Sequence, residues 1–234
     1  LQFLRLKFGH IYDGFAHNMN KALVRLMIGF RRFKDKYFQH DDPENSLYQR
    51  LATSGQTPKT LLIGCSDSRV DPAILTGASP GELFVVRNVA NLVPPCEPSA
   101  VGFHGTSSAL EFAVNNLKVE NIIILGHRQC GGIRALMTQD PNQPPSFVTN
   151  WMSIAAEART RVEKQHPGAD EETRVRLGEM ESIKVSLKNL RSFPFVEAAI
   201  QTRGLNLIGV YFDLEQGRLW EFDEAGDRFR QLEI

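Results

Sequence analysis

Cysteine is scarce in this 234-residue chain, and the three present are an odd number. A secreted domain stapled by disulfides needs a denser, paired set, and a chain of this length buries core enough without staples. The thiols are therefore expected to be core, metal-bound or catalytic groups of a cytoplasmic protein. An excess of one charge is lacking too, because 27 Lys and Arg face 27 Asp and Glu. That balance argues against a general nucleic-acid binder, whose surface carries a basic excess. No uninterrupted apolar run reaches the roughly 18 residues of a bilayer span; the nearest stretch, 22–30, is broken by Arg25. With 18 Gly and 12 Pro the composition is that of an ordinary globular chain.

The charge is zero only in sum. Through Phe38, eight basic residues stand against Asp13 and Asp35, so this segment carries +6 and the rest −6. Within it Leu23, Leu26, Met27, Phe30, Phe33 and Tyr37 recur every three or four residues, the apolar stripe of an amphipathic helix. A basic helix of this kind suits an anionic lipid surface. The acidic remainder favours packing on its own body or on a partner subunit. Leu1 stands where a Met would open a chain, so the first residues carry little weight. The expected organisation is an N-terminal helical arm, 1–38, and a single α/β domain, 39–234.

Asp42-Pro43-Glu44 has the pattern of a helix start, with the helix running to about Ala52. The period then changes. Thr60 to Gly64, Glu82 to Val86 and Asn121 to Gly126 are short apolar runs bounded by polar or turn residues, the pattern of strands buried on both faces. Helical spacing follows at 107–117 and after the third strand up to Met137. Beyond the turn-rich 141–145, two helices are expected near 146–165 and 171–192. A tail of two strands, 205–213 and 218–222, joins through Gly217. Buried strands alternating with amphipathic helices predict an α/β fold with a mainly parallel central β-sheet flanked by helices, with an N-terminal helical arm and a C-terminal helical and β-hairpin region. In such sheets ligands gather beyond the carboxyl ends of the strands.

Two motifs fall there. Cys65-Ser66-Asp67-Ser68-Arg69 follows the first strand, and His127-Arg128-Gln129-Cys130-Gly131-Gly132 follows the third. Two cysteines and a histidine are the borderline-soft donors that Zn²⁺ prefers, and His-x-x-Cys lets one tight turn present two of them. A Cys alone is usually a small hydrophobe and a His alone a hydrogen-bonded residue. Their conjunction at two strand ends points to metal, and three protein ligands leave a fourth position open for chemistry. Asp67 and Arg69, two apart on extended backbone, share one face. As a bidentate pair they would hold the Asp67 carboxylate ionised and oriented toward the hydroxide that Zn²⁺ generates from water. Without Arg69, Asp67 itself could turn onto the metal and close the site. Cys96, in Pro94-Pro95-Cys96, has no metal-binding neighbour in the sequence and is expected to be a free thiol.

These motifs resemble the β-class carbonic anhydrases, with a likeness that runs from about Gln56 to Met137 and takes in 81–91 and 102–114. The resemblance implies an α/β fold, one Zn²⁺ per subunit on Cys65, His127 and Cys130, and reversible hydration of CO₂ to bicarbonate and a proton by metal-bound hydroxide. It also implies homodimers or multiples of dimers with active sites at the interface. Members that close Asp onto the metal characteristically carry Trp three residues before the first zinc cysteine; Leu62 stands there, so the open type is expected. By the same likeness Gln56 is the amide that polarises a CO₂ or bicarbonate oxygen. Phe84, Val89 and Phe112 form the apolar wall, with Phe112 where the family often has Tyr, and Gly131 leaves room beside the metal. Of six histidines only His127 lies in a motif; His104 is the candidate proton shuttle. A CS₂ or COS hydrolase on the same scaffold, or a noncatalytic zinc or bicarbonate-binding module, are the alternatives.

Overall fold

The computed structural model describes residues 20–38, 46–98, 104–140 and 144–233. The chain divides into two compact units, 1–56 and 57–234. In the first, α1 (Lys21–Tyr37) begins on an Asn20 cap whose side chain accepts from the Ala22 N–H, and it ends with Lys34 and Lys36 at its negative dipole end. A short α2 (Leu47–Ser54) follows. Phe33 and Tyr37 meet the Tyr48 ring edge-on and Phe38 stacks on it, at ring separations of 4.9–5.6 Å, so the predicted apolar stripe is used within this unit at its C-terminal end. The helix start expected at Asp42-Pro43-Glu44 lies outside the described residues; the described helix begins at Leu47. The boundary expected at Phe38 falls between two helices of one unit.

The second unit is built on a six-stranded sheet of order β2-β1-β3-β4-β5-β6. Its first four strands in chain order are β1 (Thr60–Cys65), β2 (Leu83–Asn88), β3 (Asn121–His127) and β4 (Asn206–Asp213). The β1–β2, β1–β3 and β3–β4 pairs are parallel. β5 (Arg218–Asp223) and β6 (Arg228–Gln231) add antiparallel strands at one edge. This mainly parallel sheet flanked by helices is the expected α/β fold. β1 lies between two partners and buries Leu61, Leu62, Ile63 and Cys65, which is why it reads as an unbroken apolar run rather than an alternating one.

The flanking helices are α3 (Pro72–Thr76), α4 (Gly105–Glu111, continued as a π turn over Phe112–Asn116), α5 (Gly131–Met137), α6 (Phe147–Met152), α7 (Ala156–Gln165), α8 (Glu171–Arg191) and α9 (Pro194–Arg203). The α8 stripe places Ile183 and Leu190 in the core, with Met180 and Leu187 packed against it. Close approach to the sheet depends on glycine: a Cβ on Gly126 would come within 2.6 Å of the Ile183 side chain, and one on Gly209 within 2.8 Å. The single helix expected near 146–165 is broken at Ser153–Ala155 into α6 and α7, and three further elements were not expected from the sequence. α3 and α9 carry readable signals, Asp71-Pro72 before one and Pro194 at the first turn of the other, each with a left-handed glycine after the last turn. β6 has none, because it is a short edge strand with outward Arg228 and Arg230 and little apolar alternation.

Candidate metal centre

The two sequence motifs meet at the carboxyl ends of adjacent parallel strands. Cys65 is the last residue of β1, His127 the last of β3, and Cys130 caps the N-terminus of α5. All three are buried, at 5%, 1% and 1% exposure, and one donor atom from each lies within 4.8 Å of the others. The turn between His127 and Cys130 is tight because Gln129 adopts a left-handed backbone, φ 58°. Around it Val70, Ala90, Leu92, Ile133 and Met152 form an apolar shell.

The chemistry of the donor set fits a borderline-soft cation. His127 Nδ1 donates to the Arg128 carbonyl at 2.8 Å, which leaves Nε2 as the lone-pair nitrogen. That Nε2 is buried and has no hydrogen-bond partner, the signature of an atom shaped to bind something else. The two sulfurs titrate as a pair: the neighbouring Cys130 pulls Cys65 down, and Cys65, with burial, pushes Cys130 up. Burial opposes the protonated form of His127, but the negative charge favoured on the neighbouring Cys65 sulfur outweighs it and moves the imidazole up. A cation among the three would displace the protons they hold, since thiolates and neutral imidazole are the ligating forms.

Asp67 stands beside this cluster and outside it. Arg69 donates from Nε to Oδ1 at 3.0 Å and from Nη2 to Oδ2 at 2.7 Å, the bidentate pair expected from their spacing. This guanidinium holds the Asp67 carboxyl well below the usual carboxylate range. Arg69 also donates from Nη2 to the Gln129 carbonyl at 3.0 Å, tying the Asp67 loop to the His127–Cys130 turn. Gln129 in turn donates to Glu215, in the turn between β4 and β5.

Of the three residues expected to form the apolar wall, Phe84 and Phe112 touch each other, with ring centroids 5.9 Å apart. Val89 lies so close to Gly132 that a Cβ there would approach Val89 Cγ1 to 2.9 Å. Val89 and Phe112 remain 40% and 43% exposed. A Cβ on Gly131 would meet nothing within 4 Å, so there is open space at the start of α5. Gln56 is the last residue of the first compact unit. Leu62 is fully buried in β1. His104 precedes α4 and pairs with Glu97 at 3.7 Å. Cys96 is half-buried, its N–H bonded to Ser192 Oγ at 2.8 Å, and it is a free thiol.

Two supporting residues were not singled out from the sequence. Arg87 donates to the Cys65 carbonyl at 2.9 Å, to the Asp67 carbonyl at 2.6 Å and to Asp71 Oδ2 at 3.0 Å, so one side chain shapes the whole loop after β1. Its place in the 81–91 run was visible, but the direction of its side chain was not. Glu179 of α8 is 2% exposed and accepts from the Cys130 N–H at 2.9 Å and from the Tyr211 hydroxyl at 2.8 Å. Burial pushes its carboxyl up, against the pull of those two bonds.

Comparison with known proteins agrees with this geometry. A family model described as carbonic anhydrase matches residues 60–219. The chain is 37% identical over 211 residues to β carbonic anhydrase 3 of Arabidopsis thaliana, covering 88% of this chain and 80% of that one. The β-carbonic anhydrase CcaA superposes with a TM-score of 0.81 at 29% identity, over 92% of this chain and 94% of its own. Two tetrameric β-carbonic anhydrases from the ascomycete Sordaria macrospora are represented by a structure with a TM-score of 0.73 at 30% identity, over 86% and 97%.

Proposed function

The chain belongs to the β-class carbonic anhydrases, and we propose that it hydrates CO₂ reversibly to bicarbonate and a proton at a zinc centre held by Cys65, His127 and Cys130. The observation that carries the zinc assignment is the buried cluster of a His127 ring nitrogen and two cysteine sulfurs within 4.8 Å of one another, with His127 Nε2 left without a hydrogen-bond partner. When bound, Zn²⁺ supplies Lewis-acid activation of water near neutral pH. Asp67, fixed by Arg69, accepts a hydrogen bond from the attacking water and so directs an oxygen lone pair at the carbon of CO₂. Phe84, Val89 and Phe112 offer an apolar wall suited to a linear nonpolar substrate, Gly131 keeps space beside it, and Gln56 polarises a substrate oxygen. With both oxygens committed to Arg69, Asp67 is kept off the metal, consistent with the open type. The relatives are carbonic anhydrases, and neither a CS₂ or COS hydrolase nor a noncatalytic module draws support from them.

Stopped-flow CO₂ hydration with zinc quantification tests the reading. Stoichiometric zinc and hydration well above background at pH 8.5 are expected; stoichiometric zinc without hydration overturns it. Two thiolates and a neutral imidazole cancel the charge of the ion, so water is acidified less than by three neutral ligands. The rate is therefore expected to climb between pH 6 and 9, and a flat profile over that range counts against the ligand set.

The assembly we propose is a homodimer or a multiple of dimers with active sites at the interface. Val85 and Val89, in and just after the edge strand β2, and Phe112 leave apolar side chains 40–43% exposed, surface that a second copy of the chain would cover. The basic arm, +6 against an acidic remainder of −6, is proposed to wrap over the partner. Deleting residues 1–38 is expected to lower the sedimentation coefficient to that of a smaller assembly; an unchanged dimer removes the idea. No helix among the described residues is long and apolar enough to cross a membrane. A cytoplasmic location is proposed because reducing conditions keep the two ligand thiols unoxidised.

A further inference from the structure

Glu179 is a buried carboxyl that the proposed chemistry does not use. Burying such a group is costly unless both oxygens are bonded, and this one directs its bonds not to a cation but to the backbone of a ligand turn. Oε1 accepts from the Cys130 N–H at 2.9 Å, and Oε2 accepts from the Tyr211 hydroxyl at 2.8 Å. Tyr211 is itself fully buried in the middle of β4.

The approach of α8 to this turn is built in. Gly178, the residue before Glu179, sits where a Cβ would come within 2.9 Å of Met137 Sδ and 3.2 Å of Ile133 Cγ2, both on α5. With no side chain at Gly178, α8 lies directly against Met137 and Ile133, and a Cβ there would have to displace the Met137 side chain. The turn needs such an anchor, because Gln129 within it holds a left-handed backbone that a non-glycine residue adopts at a cost.

We propose that Glu179 is a positioning residue for the metal centre: it pins the Cys130 N–H, with Tyr211 fixing the carboxyl from β4, so that the Cys130 sulfur and the His127 nitrogen are presented together. Groups that orient ligands in this way typically change metal affinity by about 10–100-fold when removed. This inference rests on the zinc reading above, and the experiment separates the two. Zinc content and the rate of zinc transfer to a chromogenic chelator are measured on the full chain for the unaltered protein, Glu179→Gln, Glu179→Leu and Tyr211→Phe, with far-UV circular dichroism as the check on folding.

Stoichiometric zinc in the unaltered protein is the condition for the zinc reading, and its absence there sinks that reading rather than the positioning role alone. Glu179→Leu is expected to fold, with similar volume in an apolar shell, and to lose zinc about 10–100-fold faster. Glu179→Gln keeps an oxygen for the Cys130 N–H and an amide to donate to the Tyr211 oxygen, and is expected to stay within about threefold of the unaltered protein, far short of the loss for a removed ligand-orienting group. If Glu179→Leu fails to fold, Tyr211→Phe carries the test, with release expected to quicken severalfold. Unaltered zinc release in every folded variant, or equal loss in Glu179→Gln and Glu179→Leu, overturns the proposal.

Discussion

Replacing Cys65 with Ser, or His127 with Ala, is expected to remove bound zinc and lower CO₂ hydration by about a thousandfold or more, since several kcal/mol of transition-state stabilisation go with the metal and each ~1.4 kcal/mol is a factor of ten. Serine is close to cysteine in shape, but its hydroxyl does not ionise near neutral pH, whereas the neighbouring Cys130 draws the Cys65 thiol down toward its ionised, ligating form. His127→Ala deletes the one ring nitrogen of the site that is buried without a partner. Because Cys65 and His127 end two buried strands, circular dichroism should change little while metal analysis falls to background. Stoichiometric zinc with undiminished hydration in either variant would mean that these side chains are not the ligands.

Arg69→Ala has the next largest expected effect: hydration about a hundredfold slower with zinc retained, the scale on which misplacement of a reacting partner acts. Arg69 touches no donor of the metal cluster, so metal content should not respond. It does hold both oxygens of Asp67, and it is bonded to the Gln129 carbonyl across the site. The sign of the pH effect distinguishes orientation from charge. Arg69 depresses the Asp67 pKa, so its contribution is present above the ordinary carboxylate value and lost only as pH falls through the depressed one. Without Arg69 the carboxyl returns toward about 3.9, still ionised at pH 6 and above. The loss should therefore persist from pH 6 to 9 if Arg69 acts by aiming Asp67. Recovery of hydration at high pH, or loss of zinc along with activity, would refute that role.

The metal centre was unusually legible because its parts are local. Cys65 ends a strand that reads as an apolar run, and His127 and Cys130 share one turn, so two short motifs carry the candidate ligands and the Asp67–Arg69 pair. The supporting residues were not legible in the same way. Glu179 lies on a helix whose apolar stripe is plain, but α8 buries residues beyond that stripe, among them Glu179, Glu181, Ser182 and Ser186. Helical period says which face is apolar; it does not say which polar residue beside that face a neighbouring turn will draw in. Arg87 is similar, since a side chain on an edge strand gives no sign that it will reach three groups of the loop beyond the next strand.

The amino-acid sequence by itself determined the parallel core and the donor set, because buried strands have a continuous apolar signature and zinc-type donors recur at spacings set by one turn. Only the tertiary structure decided how the donors converge: which neighbouring strands bring Cys65 to His127, which His127 nitrogen is left for a ligand, and that Glu179 and Tyr211 close beneath Cys130. Those are contacts between elements far apart in the chain. They are settled by packing of α8 against α5 and the sheet through Gly126, Gly178 and Gly209, where the absence of a side chain permits an approach that no local pattern records.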